Sequence, residues 1–287
     1  MKKILLAGAT GQLGKYIFRE LKLQGYDVRV LARNLKKAQA LFPDPEELVL
    51  ADATKRESLA GCCAGVKVVI SAIGKNTSLR SQSHGSFLDI DYKANLNLLG
   101  EAQKAGVSQF IYISVYGADR YASLAYFKAH NDFENALRSS GISYTILQPV
   151  ALFSALDELV YMARKGRVGF FGKGDKTVNP IYEGDVAKVA VSCIGQANQT
   201  LPLGGKLTYS RRELIHIACE AVGYSGRISE IPFELVEPLL PFVRLMSRSL
   251  YDKIAYMLAV SKDDCIAPAV GDHSLEEYFE LESALLH

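Results

Sequence analysis

The stretch Gly8-Ala9-Thr10-Gly11-Gln12-Leu13-Gly14 follows the apolar run 4–7, and apolar residues at helical spacing follow it in turn. This order predicts a strand, a glycine turn and a helix. Such a turn presents backbone N–H groups and the positive end of a helix dipole to a phosphate. Glycine triplets also occur in ordinary tight turns, so the motif alone is weak. Its place between a strand and a helix favours a pyrophosphate-binding site.

The second predicted strand, 26–32, ends at Ala32 and is followed by Arg33. An acidic residue at this place would accept hydrogen bonds from a ribose 2′-OH, whereas arginine pairs with a 2′-phosphate. Arg33 therefore favours NADP(H) as the cofactor, and NAD(H) is less favoured. A solvent-exposed arginine at the start of a helix is the alternative interpretation.

Further predicted strands also end at polar or small residues. The residues expected at these ends are Asp52 and Ala53 after strand 47–51, Ala72, Ile73 and Gly74 at the end of strand 66–72, Ser114 and Tyr116 after strand 109–113, and Pro149 after strand 143–147. Helices alternate with the six predicted strands, which is typical of an α/β fold with a doubly wound parallel sheet. Ligands of such sheets bind beyond the carboxyl ends of the strands.

Several local patterns predict where helices begin. The spacing at 54–57 and at 210–213 is that of a capping box, and Asp185 suits an N-cap. Apolar residues at helical spacing predict one long crossover helix over 89–105. The polar segment 75–87 is interpreted either as a flexible loop over the site or as a plain surface loop.

Composition limits the classes of partner. The 287 residues contain 33 Lys and Arg against 31 Asp and Glu, so no strong field favours nucleic acid. The five cysteines show neither the spacing of a metal site nor that of a disulfide framework, and we read them as reduced thiols of a cytoplasmic protein. We expect no metal, and a small molecule as the substrate.

The regular alternation of predicted strands and helices ends near residue 150. We predict a dinucleotide-binding domain over 1–150 and a smaller lobe over 151–287 that returns in part to the first domain. The segment 231–260 is apolar, but its charges rule out a membrane-spanning run. We interpret it as amphipathic helices covering a substrate crevice, and the alternatives are a dimer face or contact with a membrane surface.

The sequence resembles the atypical short-chain dehydrogenases/reductases of the NmrA-like kind over nearly its whole length. The motifs that carry the resemblance are the glycine turn at 8–14, Leu-Ala-Arg at 31–33, Asp52, Ser-Ala-Ile-Gly at 71–74, Asp-Tyr-Lys-Ala-Asn at 91–95, the segments 140–149 and 179–187, and the C-terminal segment 271–279. The resemblance implies a Rossmann-type doubly wound parallel sheet with a smaller C-terminal α/β lobe, and it implies NAD(P) binding.

The resemblance also implies a Tyr-x-x-x-Lys pair on the helix after the fifth strand. In this pair the lysine holds the nicotinamide ribose, and the tyrosine passes a proton to or from the substrate. Lys128 fits the lysine position, but Leu124 stands where the tyrosine is expected, and Tyr126 points to another side of the helix. The serine expected beyond strand five has two candidate positions: Ser114 lies at the strand end, whereas Tyr116 stands at the acid/serine position.

Three functions remain open from the sequence. The first is an NADP(H)-dependent reductase of a small, apolar carbonyl, enone or quinone-like substrate, in which Lys128 acts with Tyr116 or Tyr121. The second is a catalytically silent NAD(P)H-binding sensor or assembly factor. The third and weakest is a nucleotide-sugar epimerase or dehydratase, against which the missing tyrosine and the non-acidic end of strand two both count.

Overall fold

The computed structural model describes residues 2–42, 48–81, 85–196 and 198–284. Within it the chain forms two compact units. The first comprises Met1–Lys75, Ser83–Gln148 and Glu183–Leu201, and the second comprises Asn76–Gln82, Pro149–Tyr182 and Pro202–His287.

Six strands and four α-helices follow one another in the described part of residues 3–149, largely in the alternating order that the sequence pattern predicts. The strands are β1 (Lys3–Ala7), β2 (Asp27–Ala32), β3 (Leu48–Leu50), β4 (Val68–Ser71), β5 (Gln109–Ile113) and β6 (Ser143–Pro149). The helices between them are α1 (Gln12–Leu23), α2 (Leu35–Leu41), α3 (Ala94–Lys104) and α4 (Ala125–Arg138).

These strands belong to one seven-stranded sheet in the order β3-β2-β1-β4-β5-β6-β9, where β9 is Gln199–Leu203. The pairs from β3 through to β6 are parallel. Every residue of β4 and β5 is buried, which fits their nearly continuous apolar sequence. The predicted doubly wound α/β fold of the Rossmann type is confirmed.

One face of the sheet is covered by α3 and α4. Leu98 from α3 and Phe133 from α4 belong to the same buried cluster as Val69, Phe110 and Tyr112 of the strands. Alternate strand residues point to the opposite face, where α1 contacts β1 and packs along α6 (Glu183–Ser192). Helices on both faces are what a parallel sheet requires, since both of its faces are apolar.

Two local predictions are wrong. The segment 54–57 forms no capping box, because the Thr54 side chain donates its hydrogen bond to Asp52 Oδ1 instead, and only a short 3₁₀ helix, Arg56–Leu59, follows. Asp185 lies inside the first turn of α6 and is not its N-cap. The long helix predicted over 89–105 is present, as a π-helical segment, Leu88–Lys93, that continues directly into α3.

The polar loop 75–87 is irregular over 75–78, and Lys75 at its start is buried. Residues 82–84 of this loop lie outside the described residues. The capping box at 210–213 is confirmed: Ser210 accepts from the backbone of Glu213, and the Glu213 side chain accepts from the backbone of Ser210.

The second unit contains short strands and mostly short helices. The strands are β7 (Val168–Phe171), β8 (Thr177–Val178), β10 (Tyr209–Ser210) and β11 (Ile228–Ile231). The helices are α5 (Asp157–Arg164), α7 (Arg211–Glu220), α8 (Phe233–Val236), α9 (Leu240–Met246), α10 (Arg248–Lys262) and α11 (Leu275–Ala284). Within the described residues, none of the helices combines the length and the apolar character that a membrane crossing requires.

Phe133 gives a direct test of the core of the first unit. Its ring is fully buried, 4.5 Å from the ring of Tyr112 and 5.8 Å from that of Phe110. We expect Phe133→Ala to lower the free energy of unfolding by about 3–5 kcal/mol, because it removes buried surface and leaves a cavity. Urea-induced unfolding followed by circular dichroism measures the loss.

The matched control is Phe242→Ala, which truncates a phenylalanine that is 67 % exposed. We expect this change to shift the free energy of unfolding by no more than about 0.5 kcal/mol. Equal losses in the two variants would contradict the placement of Phe133 in the core.

Candidate functional site

The glycine turn lies against the end of β4. Gly8 has a positive φ of 78°, and a Cβ on it would overlap the carbonyl of Ala72 and lie 2.9 Å from the nitrogen of Ile73. A Cβ on Gly14 would overlap the carbonyl oxygen of Gly8 and lie 2.7 Å from Ala9 Cα. These two glycines therefore serve the tight turn and the close packing of α1 on the turn.

Gly11 has a different environment. Its N–H donates to the Gly8 carbonyl at 3.0 Å, and a Cβ on it would meet only that same oxygen, at 3.2 Å. Gly11 is also the N-cap of α1, and within the described residues no side chain caps this helix end. The first-turn N–H groups, including those of Gln12 and Leu13, are thus available to a phosphate that approaches the bare backbone. The turn fits a dinucleotide pyrophosphate.

The ends of β2 and β3 bring Arg33 and Asp52 together. Arg33 is exposed directly after β2, and its charge acts on Asp52. Burial opposes ionisation of Asp52, but hydrogen bonds from Thr54 and the charges of Arg33 and Lys55 outweigh it, so the pKa of Asp52 is lowered. Asp52 is therefore a carboxylate at neutral pH, beside an exposed guanidinium.

Ala53 is buried, and its carbonyl accepts from the side chain of Asn97. The predicted residues Arg33, Asp52 and Ala53 thus occupy consecutive strand ends, at the carboxyl edge of the sheet where the fold is expected to bind its ligand.

The backbone beyond β4 is fixed by a buried asparagine. Ala72 donates its N–H to the Ala7 carbonyl at 2.9 Å, which continues the pairing of β4 with β1. Asn95 donates to the carbonyl of Ile73 at 3.3 Å and accepts from the Ser71 hydroxyl at 2.5 Å. The segment that follows the strand is therefore held in place from the side of α3.

A buried chain of three ionisable side chains lies next to this segment. Asp91 Oδ1 accepts from the N–H of Lys75 at 3.1 Å and lies 3.3 Å from His130 Nε2. His130 Nδ1 lies 2.7 Å from the hydroxyl of Tyr112. A Cβ on Gly74 would lie 3.3 Å from Asp91 Oδ1, so the chain directly adjoins the predicted binding residues 72–74.

The hydrogen-bonding roles in this chain follow from its chemistry. A carboxylate only accepts, so we assign the Nε2–H of His130 as the donor to Asp91 and Nδ1 as the acceptor of the Tyr112 O–H. Burial, with added effects of Asp91, Glu134 and Tyr126, raises the pKa of Tyr112 well above its ordinary value. Tyr112 thus remains a protonated phenol and keeps the imidazole in one tautomer.

Asp91 Oδ2 is buried and has no hydrogen-bond partner within the described residues. Leaving a buried acceptor unpaired is costly. The sequence interpretation did not include Asp91, Tyr112 or His130 among the site residues.

Tyr126 lies one helical turn before His130 on α4. The rings of the two residues meet edge to face, with centroids 4.9 Å apart and planes at 78°. Tyr126 is half-buried and also contacts Phe87 and Phe127, each at 5.2 Å between ring centroids. Tyr126 and His130 therefore have the i, i+4 spacing of the Tyr-x-x-x-Lys pair, with histidine in place of lysine. This spacing was the signal in the sequence that could have found them.

Lys128 has different surroundings from His130. Its side chain is 58 % exposed, and its Nζ pairs with Asp132 Oδ2 at 2.8 Å. Residues two positions apart in a helix are rotated by about 200° around its axis. Lys128 and His130 therefore point to nearly opposite sides of α4. Leu124, at the expected tyrosine position, is the N-cap of this helix. The structure does not place Lys128 with the buried chain, and its catalytic role stays a prediction.

Ser114 belongs to a second buried network. Its hydroxyl donates to Glu134 Oε1 at 2.6 Å, and the same oxygen accepts from Gln148 at 2.8 Å. Glu134 Oε2 pairs with Arg138 at 2.8 Å. The structure thus brings Ser114 together with Glu134, and its catalytic role also stays a prediction.

The remaining candidates are spread over both units. Tyr116 is half-buried shortly after β5, and Tyr121 packs its ring on Phe127 at 4.9 Å. Thr10 is half-buried in the glycine turn. Pro149 is the last residue of β6 and belongs to the second unit. Within the described parts of the chain, no group of acidic, histidine and cysteine side chains could hold a metal ion.

The fold and the glycine turn together define an NAD(P)H-binding α/β protein. A family model described as NAD(P)H-binding matches residues 8–197, and the chain belongs to this family. The resemblance to atypical short-chain dehydrogenases/reductases is confirmed, and so is the nicotinamide cofactor class.

Relatives with established names fall into two groups. The chain is 26 % identical over 260 residues to the photosystem II assembly factor Ycf39 of Synechocystis sp., covering 88 % of this chain and 78 % of the relative. It is 24 % identical over 313 residues to the divinyl chlorophyllide a 8-vinyl-reductase of Arabidopsis thaliana, covering 96 % of this chain and 72 % of the relative.

Solved structures show the same fold. An NADPH-dependent quinone oxidoreductase from Escherichia coli, complexed with NADPH, superposes with a TM-score of 0.76 at 22 % identity, covering 99 % of this chain and all of that chain. A triphenylmethane reductase from Citrobacter sp., complexed with NADP(H), gives a TM-score of 0.73 at 22 % identity, covering 97 % of this chain and 99 % of the other.

The bare backbone at Gly11 leads to a prediction about binding. We expect Gly11→Ala to weaken NADPH binding at least about tenfold, because the added methyl group would stand between the backbone and the pyrophosphate. Isothermal titration calorimetry with NADPH measures the change.

Gly100→Ala is the matched control, since Gly100 lies within α3 and a Cβ there would meet open space. This variant should bind NADPH as the unmodified protein does and gain about 0.5–1 kcal/mol of stability. Unchanged affinity in Gly11→Ala would contradict the proposed place of the pyrophosphate.

Proposed function

We propose that this protein is an NADPH-dependent reductase of a planar, conjugated acceptor such as an enone or a quinone. The observation that supports the proposal is the buried chain Asp91–His130–Tyr112, with Tyr126 packed on its histidine. It adjoins residues 72–74 in a unit that carries a pyrophosphate-binding turn. A proton-donating group beside a nicotinamide cofactor is what such a reduction requires.

In this proposal the turn at 8–14 binds the pyrophosphate of NADPH. The cofactor, when bound, supplies the hydride. The hydroxyl of Tyr126 donates the proton that the reduced substrate takes up. His130 positions the ring of Tyr126, and Asp91 and Tyr112 fix the imidazole through its two nitrogen atoms.

We infer the substrate class from the aromatic side chains around the site and from the names of similar proteins. The half-buried ring of Tyr126 packs on the buried ring of Phe87 and offers an aromatic surface at the site, and aromatic side chains pack well on flat conjugated molecules. Similar proteins are named for reducing quinones, triphenylmethane dyes and divinyl chlorophyllide, all of which are conjugated. The sequence identity to these proteins is too low to select one of their substrates, so we propose only the class of substrate.

The preference for NADPH over NADH rests on Arg33. Its guanidinium is exposed at the end of β2, where the ribose phosphate of a bound cofactor is expected. Asp52 keeps a negative charge nearby, but one carboxylate beside an exposed arginine leaves most of its donor positions open to a phosphate.

A second candidate function is an NAD(P)H-binding assembly factor that performs no chemistry. The relatives named Ycf39 assembly factors favour it, at identities similar to those of the named reductases. Tight NADPH binding, together with failure to oxidise NADPH with any quinone, enone or dye in a panel, would favour this second function over the first.

Tyr126→Phe tests the proton donor. We expect kcat of NADPH oxidation with the best acceptor of the panel to fall about 10²–10³-fold, because the ring stays and only the acidic hydroxyl is lost. The affinity for NADPH should change less than about threefold. Stopped-flow absorbance and calorimetry give the two values.

Tyr144→Phe, on a partly buried tyrosine at the amino end of β6, is the control and should keep full activity. The Lys128→Ala variant tests the competing prediction. If Lys128→Ala abolished turnover while Tyr126→Phe did not, the assignment to Tyr126 would be wrong and the lysine would carry the chemistry.

Arg33→Ala tests cofactor choice. We expect the affinity for NADPH to fall about tenfold and the affinity for NADH to stay constant, because only the former carries the 2′-phosphate. Arg19→Ala removes another exposed arginine, on α1, and should leave both affinities unchanged. Equal binding of NADPH and NADH by the unmodified protein would contradict the assignment of Arg33 to the 2′-phosphate of NADPH.

A further inference from the structure

The second unit carries a row of exposed apolar side chains on α8, α9, the start of α10 and the 3₁₀ turn between α8 and α9. We name it the apolar ridge, and its members are Leu235, Leu239, Phe242, Leu245, Met246 and Leu250. The ridge is most prominent at Leu245 and Met246, which are 87 % and 88 % exposed. Single exposed leucines are normal, but a contiguous apolar patch marks a contact surface.

From this ridge and its charges we infer that the second unit docks on a lipid bilayer with anionic headgroups. The inference is independent of the proposed reductase activity. It selects one of the alternatives that the sequence leaves open for the segment 231–260.

Helix α10 is anchored in the unit. Its residues Ala255 and Leu258 are buried. Lys253, also buried, donates to the carbonyl oxygens of Ser78 and Ser81 at 2.6 and 2.9 Å. Leu250 at the start of this helix is nevertheless 41 % exposed, and α9, which carries Phe242, Leu245 and Met246, contains no buried residue.

The charges beside the tip of the ridge, Leu245 and Met246, are both positive, whereas Glu234 and Glu237 stand at its other end, near Leu235 and Leu239. Between Pro238 and Tyr251 the only charged residues are Arg244 and Arg248, and they flank the pair Leu245 and Met246. Within the described residues neither arginine pairs with a carboxylate, and the guanidinium of Arg244 lies 5.6 Å from the ring centroid of Tyr251. This tip therefore fits a surface that is negatively charged outside and apolar inside.

A bilayer with anionic lipids has that profile. Leucine, methionine and phenylalanine enter the acyl boundary, while the long arginine side chains reach the headgroups. Helix α9 has seven residues, about 10 Å, which is far less than the hydrocarbon thickness of about 30 Å. The contact would therefore lie in the plane of the interface.

A second copy of the chain fits the tip of the ridge less well. In a two-fold dimer the same patch meets itself. Where the tips of two copies meet, their arginines approach each other around Leu245 and Met246, and Glu234 and Glu237 stand at the other end of the ridge. Like charges in such a contact oppose association.

Vesicle flotation of the full chain tests this inference. We expect the protein to float with vesicles of phosphatidylcholine and phosphatidylglycerol, and much less with phosphatidylcholine alone. The double variant Leu245→Gln/Met246→Gln should lower the partition coefficient about tenfold or more. The double variant Arg244→Gln/Arg248→Gln should lower it about fivefold for each arginine, and only on the anionic vesicles.

Leu23→Gln is the matched control, because Leu23 is 70 % exposed on α1 of the first unit, outside the ridge. It should float like the unmodified protein. Circular dichroism checks that each variant folds, and light scattering reports its oligomeric state.

Three results would overturn the inference. One is no flotation with anionic vesicles, and another is flotation that neither double variant reduces. The third is a dimer in solution that Leu245→Gln/Met246→Gln dissociates, which would assign the ridge to a second copy of the chain. None of these results bears on NADPH oxidation, so the reductase proposal can fail or stand separately.

Discussion

The close approach of backbone at Gly8 and Gly14 is the constraint on which the rest of the first unit depends. No Cβ fits at either position, so β1, the turn and α1 can meet only as they do. The same contact presses the turn against residues 72 and 73 beyond β4. The backbone that would bind a pyrophosphate is thereby linked, through the end of β4, to the residues around Asp91. Cofactor binding and the buried ionisable chain share one structural support.

Much of this arrangement could be predicted from the sequence because it depends on periodicity. Continuous apolar runs mark β4 and β5, and the predicted bounds of β5, 109–113, are those observed. Local capping was less predictable, since several partners compete for one hydroxyl. Thr54 has the right spacing to cap a helix, yet Asp52 is two residues away and accepts its hydrogen bond. The spacing of residues in the sequence does not show which of several possible partners forms the hydrogen bond.

The candidate site was harder to predict than the fold for a physical reason. A helix pattern gives the relative directions of Lys128 and His130, but packing decides which of them faces the sheet. Here α4 turns Phe133 and Leu137 into the core, and His130 lies on the buried side with them. Tyr112 looks like an ordinary core residue of an apolar strand, and Asp91 looks like a surface acid at a helix start. Only the folded chain brings these three together.

The cost of this cluster argues for a role in chemistry. Asp91, Tyr112 and His130 are buried, and Tyr112 belongs to the same core cluster as Val69, Leu98 and Phe133. Well-packed apolar side chains in their place would be neutral or favourable for stability, whereas a buried carboxylate oxygen without a partner costs about 1–3 kcal/mol. The core gains no stability from such a group. The proposed cofactor contacts, at the glycine turn and Arg33, make no use of this cluster, which is why we prefer the proposed reductase to a silent assembly factor.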